Sequence, residues 1–194
     1  MSTDFLEIEH KFLVDPSFDA ADFCQRALAL GPSRTIAMPT RDTYFLLALQ
    51  PELIFRHRYD PDRQELTVKS RSGSDTEVRL EVNLRLDPGS GDQLDRVAAF
   101  LRPWRIAFQG TLHKDIQVFY YPDCELVYYE AYIAAERLRC VEFEAIGARD
   151  VTSASAILAS YEERLGFAGR ARTPASLFDL LLWPRMNAAL ERID

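Results

Sequence analysis

Cysteine is scarce in this chain of 194 residues, and its placement excludes two classes at once. Cys24, Cys124 and Cys140 are odd in number and lack CxxC spacing. Neither a disulfide framework nor a zinc site is encoded, and the three read as reduced cytoplasmic thiols. Long apolar runs are missing too. The greasiest stretch, Leu177 to Trp183, is short and is interrupted by Asp179, so no membrane span is expected. Positive charge is in deficit. With 23 Lys and Arg against 30 Asp and Glu, the net charge of −7 argues against a general nucleic-acid binder. An anionic ligand in a local basic pocket stays compatible with it. No signal-peptide pattern, internal repeat, low-complexity tract or long linker is visible. One cytoplasmic domain over residues 1–194 is expected, with a homodimer left open as its protein partner.

What the chain does have is alternation. At its start, Leu6, Ile8, Phe12 and Val14 take one face of a strand, and Glu7, Glu9 and Lys11 take the other. Further strands are expected near 34–47, 52–60, 64–71, 76–87, 106–121, 125–133 and 137–147. Turn residues at 60–63 and 72–75 make hairpins, so neighbouring strands run antiparallel. Helices are expected at 16–30, 93–101 and 151–165, the last closed by Gly166. A C-terminal helical segment over 174–193 is interrupted at Pro184. An eight-stranded antiparallel sheet can close into a barrel, which removes its edges.

Four more strands repeat the charged stripe. Arg79, Glu81, Asn83 and Arg85 oppose Val78, Leu80, Val82, Leu84 and Leu86. Arg56 and Arg58 oppose Phe55, His57 and Tyr59. Thr67, Lys69 and Arg71 oppose Leu66, Val68 and Ser70. Glu142 and Glu144 oppose Val141, Phe143 and Ala145. Two architectures fit. Either the apolar faces make a barrel core with the charges in water, or the charges line a tunnel and the apolar faces lie outward beneath helices. A dry interior of this kind is expensive, because each buried ion costs several kcal/mol. It makes sense with water, metal and a polyanion: clustered carboxylates suit Mg2+ or Mn2+, and Arg and Lys suit phosphate oxygens.

At these residues the chain resembles the CYTH superfamily, the triphosphate tunnel metalloenzymes. Its E-x-E-x-K signature is matched by Glu7, Glu9 and Lys11. The resemblance continues in order through Asp42-Thr43-Tyr44-Phe45, Phe55-Arg56-His57-Arg58, Leu66-Thr67-Val68-Lys69, Arg79-Leu80-Glu81 and Val141-Glu142-Phe143-Glu144. It implies an α+β fold: an eight-stranded antiparallel closed tunnel with a charged interior and helices packed outside. It implies Glu7, Glu9, Glu81, Glu142 and Glu144 as ligands of Mg2+ or Mn2+. Lys11, Arg56, Arg58, Lys69, Arg79 and Lys114 would hold the phosphates, with Glu7, Glu9, Lys11 and Glu81 catalytic. The implied activity is hydrolysis of a small-molecule triphosphate, inorganic triphosphate ahead of nucleoside or thiamine triphosphate. A triphosphate- or polyphosphate-binding module with little turnover and a class IV adenylyl cyclase are the alternatives, because one cradle serves all three.

The chain also departs from the family pattern. Leu46 stands where Y-F-D has its acid, and Asn83 where R-x-E-x-E has its second Glu. The late basic strand is reduced to His113-Lys114-Asp115, where parity with Gln117 would turn His113 and Asp115 inward rather than Lys114. The late acid is nearest at Glu130, with Tyr128 and Tyr132 as neighbours that could stack on an organic group. Arg137-Leu138-Arg139 replaces the usual Leu-Gly. His10 and His57 fall opposite the stripes and read as structural or surface residues. Arg170 and Arg172 are placed to guard a tunnel mouth.

Overall fold

A computed structural model describes residues 6–70 and 78–190. The alternating segments become β1 (Leu6–Val14), β2 (Arg34–Leu47), β3 (Gln50–Tyr59), β4 (Gln64–Ser70), β5 (Val78–Leu86), β6 (Ile106–Tyr120), β7 (Cys124–Ile133) and β8 (Glu136–Ala145). They form a closed antiparallel ring in the order β1-β5-β4-β3-β2-β6-β7-β8. The seam is the short side: β1 pairs with β5 from Leu6 to Ile8 and with β8 from Glu9 to Val14. The expected turn at 72–75, Arg71 and the side chain of Arg79 lie outside the described residues.

Three helices lie on the outside over the apolar stripes, except on β5, where Leu80, Val82 and Leu84 stay exposed. Helix α1 (Ala20–Ala29) starts at Asp19, whose carboxylate accepts from the Asp22 backbone at 2.9 Å. Helix α3 (Val151–Leu165) opens on a capping box of Asp150 and Ser153 and ends on Gly166 at φ +76°, a left-handed cap that glycine takes without strain. Both pack on β1, β6, β7 and β8 through Phe12, Phe23, Phe143, Leu158, Leu165 and Phe167. Phe12, Phe143 and Phe167 meet edge-on with centroids 4.9–5.7 Å apart. Each ring so buried contributes roughly 1.5–3 kcal/mol. Helix α2 (Leu94–Leu101) places Val97 and Leu101 on Phe45, Leu47 and Leu66 of β2 and β4. The charges therefore face inward, and the tunnel architecture is the one formed.

The C-terminal segment departs from expectation. It does not pack outside. Leu177, Phe178, Leu181 and Leu182 join Tyr44, Leu46, Ile54, Leu112, Ala131 and Cys140 in one buried cluster, on the same strand faces that carry the tunnel charges further along. The segment thus fills part of the barrel interior. Gly110 shows how closely it fits: a Cβ there would stand 2.9 Å from Leu182 Cδ2. Nor does Pro184 break the helix. Residues Phe178–Leu182 form a wide π-helical turn that runs directly into α4 (Trp183–Leu190). Proline lacks the N–H and crowds the carbonyl four residues back, and the widened turn absorbs both. No helix among the described residues is long and apolar enough to cross a membrane.

Candidate active site

Period-two geometry sends Glu7, Glu9 and Lys11 of β1 to the same side as Arg56 and Arg58 of β3, Lys69 of β4, Glu81 of β5, Lys114 of β6, and Glu142 and Glu144 of β8. All ten line one cavity of about 190 Å³. The walls differ in sign. On β7, β8 and β1, Glu125, Glu144 and Glu9 lie side by side in register. Like charges directly opposite each other repel, so such a row calls for a counter-cation. The facing side carries Arg56, Arg58, Arg63, Lys69 and Lys114.

The cations are organised by an acid the motif reading passed over. Asp42 of β2 is fully buried. Its carboxylate accepts from Arg58 Nε at 2.9 Å and Nη2 at 3.0 Å, a planar fork, and lies 2.8 Å from Lys114 Nζ. Burial opposes its charge, but Arg58 and Lys114 hold Asp42 well below the ordinary carboxylate range. Lys114 shares that carboxylate with a better-placed guanidinium. Burial and Arg58 together push its pKa down to about 8, although Asp42 is beside it. Arg56 is held more loosely. Its Nη2 donates to Thr67 Oγ1 at 3.1 Å, Glu65 and Glu81 stand 3.8 Å away, and its buried Nε has no hydrogen-bond acceptor among the described residues.

On the acidic side, Lys11 Nζ sits 3.1 Å from Glu9 and 3.0 Å from Glu142. Glu142 also accepts from Tyr129 Oη at 2.7 Å. Lys69 Nζ is 2.9 and 2.8 Å from the two oxygens of Glu7 and pairs with Glu81 Oε2. Burial raises Glu7 to about 7. Burial also raises Glu144 well above the ordinary range, reinforced by Glu7, Glu125, Glu9 and Glu81. Among the described residues no basic group forms an ion pair with Glu144. A cluster of hard oxygen donors with unbalanced charge suits a hard divalent cation, so the residues present fit Mg2+ or Mn2+. Among the described residues no three acidic side chains already converge as they would around a metal.

Several sequence expectations are corrected. Lys114 faces inward, and His113 and Asp115 are exposed, because β6 alternates from Leu112 through Lys114, Ile116 and Val118. Glu130 faces outward to Arg137 and Arg139, whereas Glu125 is the inward acid of β7. Tyr129, not Tyr128 or Tyr132, reaches the cavity. Arg85 is exposed. Arg172 does not guard a mouth: it donates to Glu162 Oε2 at 3.0 Å and lies 3.1 Å from His10 Nε2 on the outer face. His10 is buried there and bonded to Glu162, and His57 is buried beside Gln64 at 2.9 Å, so both lie off the tunnel and neither is a surface residue. Asp42, Glu65 and Glu125 were missed. The available signal was parity: Asp42 is two residues before Tyr44, and Glu65 two before Thr67.

No protein-family model matches the chain, and no curated protein matches its sequence. Solved structures do. The PH1012 protein of Pyrococcus horikoshii superimposes with a TM-score of 0.71 at 18% identity, covering 90% of this chain and 98% of that one. A candidate adenylate cyclase from Bacillus halodurans gives 0.61 at 18% identity, covering 91% and 97%. HpAC1 from Hippeastrum, a candidate adenylyl cyclase whose dominant activity is that of a triphosphatase, gives 0.60 at 16% identity, covering 92% and 95%. At such identities the likeness is one of architecture: the chain shares the fold of these proteins, and its own antiparallel ring closes around a charged cavity.

Proposed function

We propose that the tunnel binds a triphosphate and hydrolyses its terminal phosphoanhydride bond with Mg2+ or Mn2+, inorganic triphosphate being the first substrate. The observation that carries this is a pair of complementary deficits in one cavity. Among the described residues, Arg56 presents a buried Nε without an acceptor, and Glu144 stands among carboxylates without an ion-pair partner. A polyanion with its divalent cation relieves both.

In this reading Arg56, Arg58, Lys69 and Lys114 neutralise phosphate oxygens, with Lys11 reaching from the acidic wall. Arg58 and Lys114 keep their remaining donors oriented because Asp42 fixes their positions. Glu7, Glu9, Glu81, Glu142 and Glu144 would hold the cation, which supplies charge neutralisation at the transferring phosphoryl group and a more acidic water. One carboxylate of this set would accept the proton of the attacking water, and without the cation, burial raises the pKa of Glu7 to about 7.

A binding module without turnover is the second reading, and Asn83 favours it. Where the family motif has a carboxylate, its neutral amide donates to Glu81 Oε1 at 2.8 Å and accepts from Thr67 Oγ1 at 2.6 Å. Phosphate release should be measured with inorganic triphosphate, ATP and thiamine triphosphate, each with Mg2+ and with Mn2+. Release is expected with inorganic triphosphate and lost in EDTA. Binding of triphosphate with no release from any of the three sinks the hydrolase, and cyclic AMP formed from ATP replaces it with the cyclase.

A further inference from the structure

Lys11 and Lys69 serve phosphate in the reading above, yet each stands between two carboxylates assigned to the cation. Lys11 bridges Glu9 and Glu142 at 3.1 and 3.0 Å. Lys69 bridges Glu7, at 2.8 Å, and Glu81. Four of the five candidate ligands are thus joined in pairs by ammonium groups, and no three acids converge among the described residues. The arrangement also straddles the seam of the barrel, because the bridges join β1 to β8 and β4 to both β1 and β5. A lysine ammonium is a compact point charge on a flexible stem, so it can leave a carboxylate without moving the backbone.

We propose that Lys11 and Lys69 are internal placeholders for the divalent cation, and that the phosphate groups of the substrate draw them off Glu7, Glu9, Glu81 and Glu142. This rests on the reading of the tunnel as a triphosphate and metal site. Without ligand, each ammonium offsets one of the two charges of its carboxylate pair, and an incoming cation must compete with a covalently tethered charge already in place. Phosphate oxygens compete for the same ammonium groups. As the lysines turn to phosphate, the carboxylates are left charged and close together, and their affinity for a hard cation rises. Coupling of this kind is reciprocal, so a cation on the carboxylates favours the anion by the same factor. Each lysine thereby gains a role beyond holding substrate: it decides when the carboxylates become available.

The distinguishing consequence is that removing a phosphate-binding lysine tightens metal binding to the ligand-free protein. MnCl2 should be titrated calorimetrically into wild type, Lys69→Met, Lys11→Met and Lys69→Arg without triphosphate. Inorganic triphosphate should be titrated separately in EDTA, so that complexes between metal and triphosphate in solution do not enter. Lys69→Met should bind Mn2+ about tenfold more tightly than wild type and triphosphate about tenfold more weakly. Lys69→Arg keeps a cation between Glu7 and Glu81 and should retain the wild-type Mn2+ affinity. Lys11→Met tests the other carboxylate pair and stands in if Lys69→Met does not melt cooperatively. Unchanged or weaker Mn2+ binding in a folded methionine variant overturns the placeholder role while leaving the phosphate site intact. Failure of the wild type to bind triphosphate in EDTA overturns the functional reading itself, and the placeholder role with it.

Discussion

Replacing Asp42 by Asn isolates what one buried carboxylate does for the cation cradle. The side chain is fully buried, and its two oxygens take a bidentate guanidinium and an ammonium. In Asp42→Asn the amide oxygen still accepts one bond, but Arg58 and Lys114 lose their shared counter-charge and repel each other and Arg56. Breaking a buried ion pair by removing one partner costs roughly 3–5 kcal/mol. The retained acceptor places this case near 3 kcal/mol, or about 6–12 °C of melting temperature for a chain this long. The pH window follows from the direction of the shift. Arg58 and Lys114 overcome burial and hold Asp42 well below its ordinary 3.8, so its stabilisation is complete above that value and fades as pH falls through the folded value. The stability gap between wild type and variant should therefore be constant from about pH 5 to 7 and close only in acid. Triphosphate supplies the missing negative charge, so it should raise the melting temperature of Asp42→Asn more than that of wild type. Denaturant and thermal unfolding with and without inorganic triphosphate in EDTA read both effects. A loss under about 1 kcal/mol, or equal protection of both proteins by triphosphate, refutes the cradle as described.

Two further outcomes follow from the same geometry. Burial and Arg58 lower Lys114 to about 8, so triphosphate affinity should fall as pH rises through that value and the ammonium loses its proton. Lys114→Arg, charged throughout, should flatten the fall, and an unaltered profile of Kd against pH contradicts the assignment. Gly110→Ala should destabilise by about 1–3 kcal/mol, because the added methyl meets Leu182 and the ring of Phe108. Combining it with Leu182→Ala should cost less than the sum of the two single changes, and strict additivity would place Leu182 away from β6.

The strands were legible because a half-buried strand writes its period into the sequence. β2 spans Arg34–Leu47 as the alternation predicts, and α3 spans Val151–Leu165 between its capping acid and Gly166. The position of the C-terminal segment was not legible. Leu177, Leu180 and Leu181 read equally well as a stripe on an external helix. Their target is assembled from one or two buried residues each of β2, β3, β6, β7 and β8, among them Leu46, Ile54, Leu112, Ala131 and Cys140. No one strand announces that apolar layer. Only the register brings it together, and register is a long-range property of the closed ring.

The same distinction separates the parts of the site that could be read from those that could not. Glu9 and Lys11 are two residues apart on one strand, so their shared face is a local fact. Asp42 and Arg58, Arg58 and Glu65, and Glu125 and Glu144 are cross-strand partners in register, and nothing within either strand pairs them. Reading motifs one strand at a time therefore finds the charges that repeat and misses the counter-charges that set their orientation. It also makes Leu46 look like a lost acid. In the folded chain Leu46 lies in the apolar layer with Leu177 and Phe178, where a carboxylate would be buried against the C-terminal segment. An acid at position 46 and a hydrophobic segment filling that end of the barrel are incompatible. With Asp42 already paired to Arg58 and Lys114, the leucine belongs with the segment that covers it. Asn83, bonded to Thr67 and Glu81 within the tunnel, is the departure that bears on the chemistry.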